Sequence, residues 1–459
     1  MLGLGLALAV VGYPPSALAQ TTHAPTQVDA RRPIPPDSGL ASATELDSLV
    51  ALAIAVSPTI RAAAARVDAA RARVRPAGAR PDPTFMAGIQ NLPVSEPGFS
   101  DFMTMKTLGI SQVLPYPGKL GLRTRAAADE MAAAEARVRV AALDAAREVK
   151  YAYYDLAFDH QAMEIVRRNR DVLGNLVVVT QAQYTAGTGA QADVLRARTE
   201  TARLSDEAAR LTAAERDALA RLNAALDRPS DTPVAAPDFP DALVRAAVAD
   251  SAAHVHFTSA ALGAPAADSP LLSLDSLQAL ALAHNPMIAE HEAEIQAQAA
   301  RVELARKAHL PDFDVSLQYG QRAGGMSDMI SAVVSIPISL QKGRKQDEDA
   351  AAERSELAAL QAEHHAAVNA LRSNIATRAS ELERARTQLA LSVKSIIPQA
   401  RATLASTTAG YQVGRADFAS VIDAQASLFT IETSYWQALT DFAKALADLE
   451  HTVGAEVLR

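Results

Sequence analysis

Two kinds of hydrophobic spacing alternate along this chain, and they predict long helices that are interrupted by short strands. Apolar residues recur at helical intervals over several long segments, and over shorter segments they alternate one by one with polar residues. The helical segments are about 46–76, 119–183, 190–227, 274–309, 342–409 and 417–456. Pro58 and Pro286 lie early in the first and fourth of these, where we expect a kink or a restart of the helix.

Four alternating segments predict strands with one apolar and one polar face. They cover residues 84–92, 103–114, 313–320 and 329–340. In the last of them Ile330, Ala332 and Val334 share one face, while Ser331 and Ser335 lie on the other. A strand that crosses a membrane needs about 9–11 residues with an apolar outer face and a polar inner face. The pattern therefore favours membrane strands, and the alternative is an ordinary hairpin half-buried against helices.

The order of elements occurs twice because the chain contains an internal duplication. The sequence LDSLVALA at 46–53 returns as LDSLQALA at 274–281, with seven of eight residues identical. Near the end of each copy, Tyr-Thr-Ala-Gly at 184–187 corresponds to Tyr-Gln-Val-Gly at 411–414. A repeat of this length is a duplicated half-protein and not a solenoid unit, whose period is about 20–50 residues.

Each half is predicted to contain a helix, two strands, a very long helix, a turn and a return helix. The predicted divisions are a first repeat at 44–228, a linker at 229–273 and a second repeat at 274–456, with turns at 184–189 and 410–416. A lone helix of about 65 residues would be mostly exposed to solvent, so the long helices must pair in a coiled coil or a helical barrel.

The start of the chain predicts export. Residues 1–19 contain a short apolar run that ends in Ala17-Leu18-Ala19, the small-x-small pattern of a signal-peptide cleavage site. A short buried helix is the alternative. Residues 20–43 are rich in proline and predict an extended lead. The chain has no cysteine, which excludes disulfides, thiolate metal sites and a lipidated N-terminal cysteine.

Composition and motifs exclude several classes of function. Aromatic residues make up only 4% of the chain, which suits long, slim helices better than a thick globular core. The net charge is −8 and no basic stripe is present, so we expect no nucleic-acid partner. There is no P-loop, no H-E-x-x-H and no G-x-S-x-G sequence. We therefore expect neither an enzyme nor a cofactor, and we assign no metal-binding residues.

If the four strands face lipid, they require more than one chain. An open sheet edge in lipid leaves backbone groups unpaired, and bacterial barrels begin at eight strands. Two chains would give eight strands, a barrel filled by its own side chains. Three chains would give twelve, with the long helices forming a second tube. The sequence therefore predicts an α+β membrane protein that assembles as a homotrimer.

Over about residues 44–456 the chain resembles the TolC family of outer-membrane efflux channels. The resemblance rests on the duplication, the paired strands and the segment 410–424, G-Y-Q-V-G-R-A-D-F-A-S-V-I-D-A, which is similar to the second helix-turn-helix tip of that family. It implies a homotrimer with a 12-stranded β-barrel in outer-membrane lipid and an α-helical barrel in the periplasm of a Gram-negative bacterium. It also implies an exit duct that docks on a periplasmic adaptor and works with an inner-membrane RND transporter.

The same resemblance implies a gate at the periplasmic tip, made of acidic rings and of links between tyrosine, arginine and aspartate. Asp423 matches one aperture aspartate, and Ser420 occupies the place of the other. Tyr411 matches the linking tyrosine and Asp193 matches the aspartate of the first repeat. The matching arginine position holds alanine, with Arg415 one residue earlier, which on a helix turns the side chain by about 100°. An ordinary solvated helix charge is the alternative for Asp423.

Within the family, the segment 112–120, Q-V-L-P-Y-P-G-K-L, resembles the strand-to-helix junction of the heavy-metal efflux branch. It implies that the duct exports metal cations. The alternatives are a drug-efflux or type I secretion duct of the same family and, in a different class, a periplasmic coiled-coil scaffold without membrane strands.

Overall fold

The computed structural model describes residues 45–94, 99, 101–235, 237–248, 272–322, 326–338 and 340–457. The predicted signal peptide at 1–19 and the lead at 20–43 lie outside the described residues. So does the part of the predicted linker between 249 and 271.

The two repeats have the same order of elements. The first consists of α1 (Glu45–Val56), α2 (Pro58–Ala77), β1 (Thr84–Gln90), β2 (Met105–Leu114), α3 (Lys119–Thr185) and α4 (Gln191–Ala225). A short helix, α5 (Asp241–Val248), follows it. The second repeat consists of α6 (Leu274–His284), α7 (Pro286–Lys307), β3 (Phe313–Arg322), β4 (Met329–Ser335), α8 (Gln346–Leu391), α9 (Ile397–Gln412) and α10 (Phe418–Val453). A 3₁₀ turn (Lys342–Arg344) precedes α8, and a π-helical turn (Ser392–Ile396) joins α8 to α9.

The two early prolines begin new helices. Pro58 is the first residue of α2, where the Ser57 hydroxyl accepts a hydrogen bond from the amide of Ile60 at 3.4 Å. Pro286 is the first residue of α7, and the side chain of Asn285 accepts from the amide of Met287 at 2.8 Å. Proline suits the first position of a helix, because an N–H at that position has no partner within the helix and its loss costs no hydrogen bond. Of the two possibilities, a kink or a restart, the structure has a capped restart of the helix at both prolines.

The strands of both repeats form one antiparallel sheet in the order β1-β2-β3-β4. Strands β2 and β3 join the repeats over ten pairs, from Met105 with Arg322 to Leu114 with Phe313. The register brings apolar side chains together in rows across all four strands. One row consists of Phe85, Ile110, Leu317 and Ala332, and the next of Ala87, Leu108, Tyr319 and Ile330.

This apolar face is exposed in the single chain, with Phe85 70% and Ile330 75% accessible. The opposite face carries mostly polar and small side chains, among them Ser111, Ser316, Gln318 and Ser331. Monomeric soluble proteins rarely expose apolar patches of this kind, which mark interaction with a membrane or another protein.

Several boundaries differ from the predicted ones. The strand expected over 329–340 ends at Ser335 because Pro337 has no N–H for the ladder. The strand expected over 84–92 ends at Gln90, next to Asn91 with φ 57°. Strand β2 begins at Met105 instead of 103, and β3 continues to Arg322 instead of 320.

The predicted linker at 229–273 contains a structured helix. In α5 the side chains of Leu243 and Ala247 are buried in the main hydrophobic core. Before it, the ring of Phe239 lies between those of Tyr154 and Trp436, with centroid distances of 6.1 and 5.7 Å. This core joins α1, α3, α4, α5, α6, α7, α8 and α10. The described part of the linker is therefore part of the core.

A second, smaller core lies between α3, α4 and the start of α10, and includes Leu173, Leu204 and Phe418. Among the described residues no single helix is both long and apolar enough to cross a bilayer. Helices α1 and α2, which meet at a bend of 44°, are long and apolar enough for a membrane span only when they are counted together.

Candidate functional site at the helix tips

The two helix-turn-helix tips have the same backbone geometry. After α3, Gly187 has φ 75°, and the amides of Thr188 and Gly189 donate to the carbonyl of Gln183 at 3.0 Å. After α9, Gly414 has φ 73°, and the amide of Arg415 donates to the carbonyl of Gly410 at 2.8 Å. A left-handed glycine that closes a helix in this way explains why Gly recurs at both positions.

A tyrosine of the second tip bonds to the first tip. The hydroxyl of Tyr411 donates to Oε1 of Gln183 at 2.6 Å, and its ring lies 5.6 Å from that of Phe418. Burial and the negative charge of Asp193 raise the pKa of Tyr411, although the bond to Gln183 opposes this. Tyr411 is therefore a neutral donor, and the carboxylate of Asp193 is close enough to act on its hydroxyl group electrostatically.

The two positions assigned to aperture rings have different environments. The Ser420 amide donates to Oδ1 of Asp417 at 3.0 Å, and its hydroxyl donates to the same carboxylate. These bonds make Asp417 the N-cap of α10 and lower its pKa. One turn further, Asp423 is exposed, and within the described part of the chain no hydrogen bond or ion pair engages its side chain.

Arg415 lies in the turn itself and not on a helix, and its side chain is exposed. Within the described chain it forms no ion pair with Asp193. Sequence reasoning missed Gln183 and Asp417. The D-x-x-S sequence at 417–420 is a helix-start signal that could have identified Asp417. No local pattern identifies Gln183, because its partner is 228 positions away.

Further contacts tie the same hairpins together above the tips. The guanidinium of Arg401 in α9 donates to Oε1 of Glu432 in α10 at 2.6 Å, and Arg168 of α3 lies 3.6 Å from Oε2 of the same carboxylate. Closer to the tip, the buried amide of Gln425 donates to that of Asn169. The contacts of Arg168 and Asn169 join α3 to α10, one helix from each repeat.

A buried acidic group lies higher in the bundle. Asp155 pairs with Lys444 and, at 3.1 Å, with Arg221. One helical turn along α3, Asp159 is only 6% exposed. Burial, followed by the negative charges of Asp155 and Glu215, raises the pKa of Asp159 to about 7.

The opposite end of the long helix α3 holds a junction between the repeats. Lys119, buried at the first position of α3, donates to the carbonyl of Leu310 at 2.7 Å and to Oδ1 of Asp312 at 2.8 Å. The Tyr116 amide donates to the same oxygen at 2.8 Å. Burial alone would raise the pKa of Asp312, but these bonds hold it below its usual range. The lysine of the P-Y-P-G-K segment therefore connects the start of α3 to the start of β3.

The two duplicated halves share one antiparallel sheet, and long helical hairpins pair below it. This arrangement defines a channel protein with a TolC-like fold. The chain belongs to the outer membrane efflux protein family, whose model matches residues 49–228 and 277–455. Members of this family are transport ducts and not enzymes. Within the described residues, no group of three or more His, Asp or Glu side chains could hold a metal ion.

Individual relatives cover nearly the whole chain. The cobalt-zinc-cadmium resistance protein CzcC of Cupriavidus metallidurans is 22% identical over 453 residues, which is 99% of each protein. The structure of CusC matches with a TM-score of 0.73 at 16% identity, over 92% of this chain and 97% of CusC. The outer-membrane channel OprN matches with a TM-score of 0.72 at 19% identity, over 89% and 90%. VceC of Vibrio cholerae matches with 0.70 at 19% identity, over 90% and 96%.

Proposed function

We propose that this chain is the outer-membrane exit duct of a tripartite RND-type efflux system and that it passively conducts heavy-metal cations. The similarity to the cobalt-zinc-cadmium resistance protein over 99% of both chains carries the choice of substrate. The resemblance of the P-Y-P-G-K segment to the strand-to-helix junction of the heavy-metal branch supports the same choice. The sequence contains neither a P-loop nor a G-x-S-x-G motif, so we assign the energy for transport to partner proteins.

The sheet supports assembly as a homotrimer in outer-membrane lipid. Among the described residues no strand pairs with the outer edge of β1 or of β4, and an unpaired edge in lipid is costly. Three sheets of four strands close into a barrel of twelve, with the apolar rows facing lipid and the polar face lining the lumen. Members of the family are trimeric channels that work with adaptor and RND pump partners. We assign the periplasmic adaptor and the inner-membrane transporter to this chain on that basis.

We assign export to residues 1–19 as a cleaved signal peptide, with no lipid anchor because the chain has no cysteine. The tips then lie in the periplasm. There the exposed Asp423 of three chains forms one acidic ring, while the hydrogen bond from Tyr411 to Gln183 holds the two hairpins of each chain together.

Deletion of the gene in its own host tests the proposed substrate. We expect lower tolerance of cobalt, zinc, cadmium, copper or silver, restored by the full-length chain, with drug tolerance unchanged. Unchanged metal tolerance together with lost drug tolerance would instead favour a drug-efflux duct. A periplasmic scaffold without membrane strands predicts that the protein is absent from the outer-membrane fraction.

A further inference from the structure

Two histidines face each other between helices α7 and α8, far along the chain from the tips. The rings of His291 in α7 and His364 in α8 have centroids 6.4 Å apart and planes inclined by 61°. Both residues are half-buried, whereas the next residue, His365, is exposed. The pair belongs to the second repeat only, because the first repeat has no histidine between residues 46 and 159.

Both rings have an unsatisfied nitrogen. The Nδ1 atoms of His291 and His364 are shielded from solvent and have no hydrogen-bond partner. A buried polar atom without a partner destabilises the folded state, so native structures usually provide a partner, sometimes a bound ion or a water molecule. The two atoms lie on neighbouring rings, so a single bound ion could be the partner of both.

The surrounding charges do not occupy these nitrogens. Glu290 and Glu294, one residue before and three after His291, accept hydrogen bonds from Arg137 at 2.6 and 2.5 Å. Within the described chain no third carboxylate or histidine completes a cluster of three ligands. The ligands available are therefore two imidazole rings, with water free to take the remaining positions on a bound ion.

Two imidazoles at this spacing suit a transition-metal ion. Metal–nitrogen bonds of about 2.0–2.1 Å, one from each ring, can bridge the two side chains after small rotations. Imidazole nitrogen suits copper, zinc and nickel, and among divalent ions copper binds such ligands most tightly. Calcium and magnesium prefer oxygen and are excluded by the same argument.

We propose that His291 and His364 form a two-histidine site for one divalent transition-metal ion in the helical wall, with Cu²⁺ bound most tightly. The ion binding itself does not depend on the conducting role. The physiological role of the site, however, rests on the proposed function. In that role the site binds the transported cation at one point along the helical wall. A failure of the metal-tolerance assay and a failure of metal binding are therefore separate results.

The test is a Cu²⁺ titration of the full-length protein, purified in detergent with a tag free of histidine and stripped with EDTA. We expect isothermal titration calorimetry to show one site per chain that is lost in both His291→Phe and His364→Phe. These substitutions keep a flat ring of similar shape between α7 and α8. His365→Phe, at the exposed neighbouring position, is the matched control and should keep the full stoichiometry.

Electron paramagnetic resonance of the Cu²⁺-loaded wild type keeps the proposal testable if a variant does not fold. We expect superhyperfine splitting from two imidazole nitrogens at one copper per chain. Unchanged stoichiometry in both phenylalanine variants, or a spectrum with fewer than two imidazole nitrogens, would overturn the proposal and leave a bridging water as the partner of the two rings.

Discussion

The hydroxyl of Tyr411 donates a 2.6 Å hydrogen bond to the side chain of Gln183, which connects the tip of the second repeat to the tip of the first. The duplication does not provide the reciprocal bond. Tyr184 corresponds to Tyr411, but the counterpart of Gln183 is Gly410, which has no side chain. The two halves are therefore equivalent in fold and different in the contact that joins their tips.

Removing this hydroxyl should loosen the tip. In Tyr411→Phe the ring contact with Phe418 remains and only the hydrogen bond is lost. A neutral hydrogen bond contributes about 1 kcal/mol, which corresponds to roughly a fivefold shift of a two-state equilibrium. If the bond holds a closed state, single-channel recordings in planar bilayers should show more frequent opening.

The matched control for this change is Tyr184→Phe. Tyr184 occupies the equivalent position in the first repeat, is 43% exposed and forms no side-chain hydrogen bond with another described residue. Its recordings should match the wild type. Equal behaviour of both variants would mean that the bond from Tyr411 to Gln183 does not restrain opening.

Neutralising the exposed tip aspartate should weaken cation block from the periplasmic side. Asp423→Asn removes one charge per chain and thus three from the proposed ring, at a side chain with no partner in the described chain. We expect divalent cations to block the channel less, and the remaining block to depend less on ionic strength. Asp171→Asn makes the same charge change on the exposed surface of α3. If the two variants retain the same block as the wild type, Asp423 is not an aperture residue.

The buried carboxyl of Asp159 should make stability depend on pH. Its pKa is raised from 3.8 to about 7, so the folded state favours the protonated form. The contribution of protonated Asp159 to the free energy of unfolding is complete below pH 3.8, and it is lost as the pH rises through about 7. Asp159→Asn mimics the protonated acid, so it should raise the melting temperature at pH 8 and flatten the dependence between pH 4 and 7. The fluorescence of Trp436, the one tryptophan of the chain, reports unfolding.

Asp155→Asn tests whether this effect is specific. Asp155 is the partner of Lys444 and Arg221, so its neutralisation breaks ion pairs and should lower the melting temperature at pH 8. If the melting temperature at pH 8 falls in both variants, Asp159 is ionised and stabilises the folded protein, contrary to the raised pKa.

The sequence allowed much of this fold to be predicted, because hydrophobic spacing and the duplication are local or self-similar signals. These signals predict the four strands and the breaks in the helices at Pro58 and Pro286. The sequence does not predict helix α5, because its eight residues lie in a segment rich in proline, alanine and aspartate. The helix is stabilised by the burial of Leu243 and Ala247, which is a tertiary interaction.

Side-chain partners at the tips were harder to predict. The family resemblance pointed to Tyr411 and Asp193, but the choice of Gln183 as acceptor depends on how the two tips meet in the folded chain. Ser420 matched a family position by alignment, yet its hydroxyl is engaged by Asp417 as part of the helix cap. Such choices between neighbouring polar groups are made by tertiary packing and leave no periodic signal in the sequence.

The most direct test of the central claim, that the sheet faces outer-membrane lipid, compares two neighbouring residues of β3. Leu317 lies in the apolar row with Ile110 and Ala332, whereas Gln318 lies on the opposite face beside Gly109 and Ser331. A lysine on the lipid face costs about 2–4 kcal/mol near the middle of the bilayer, and a lysine in the lumen does not. The measurement is the amount of assembled trimer in the outer-membrane fraction. We predict that Leu317→Lys abolishes it while Gln318→Lys assembles like the wild type. Equal assembly of both variants would contradict a membrane-embedded sheet.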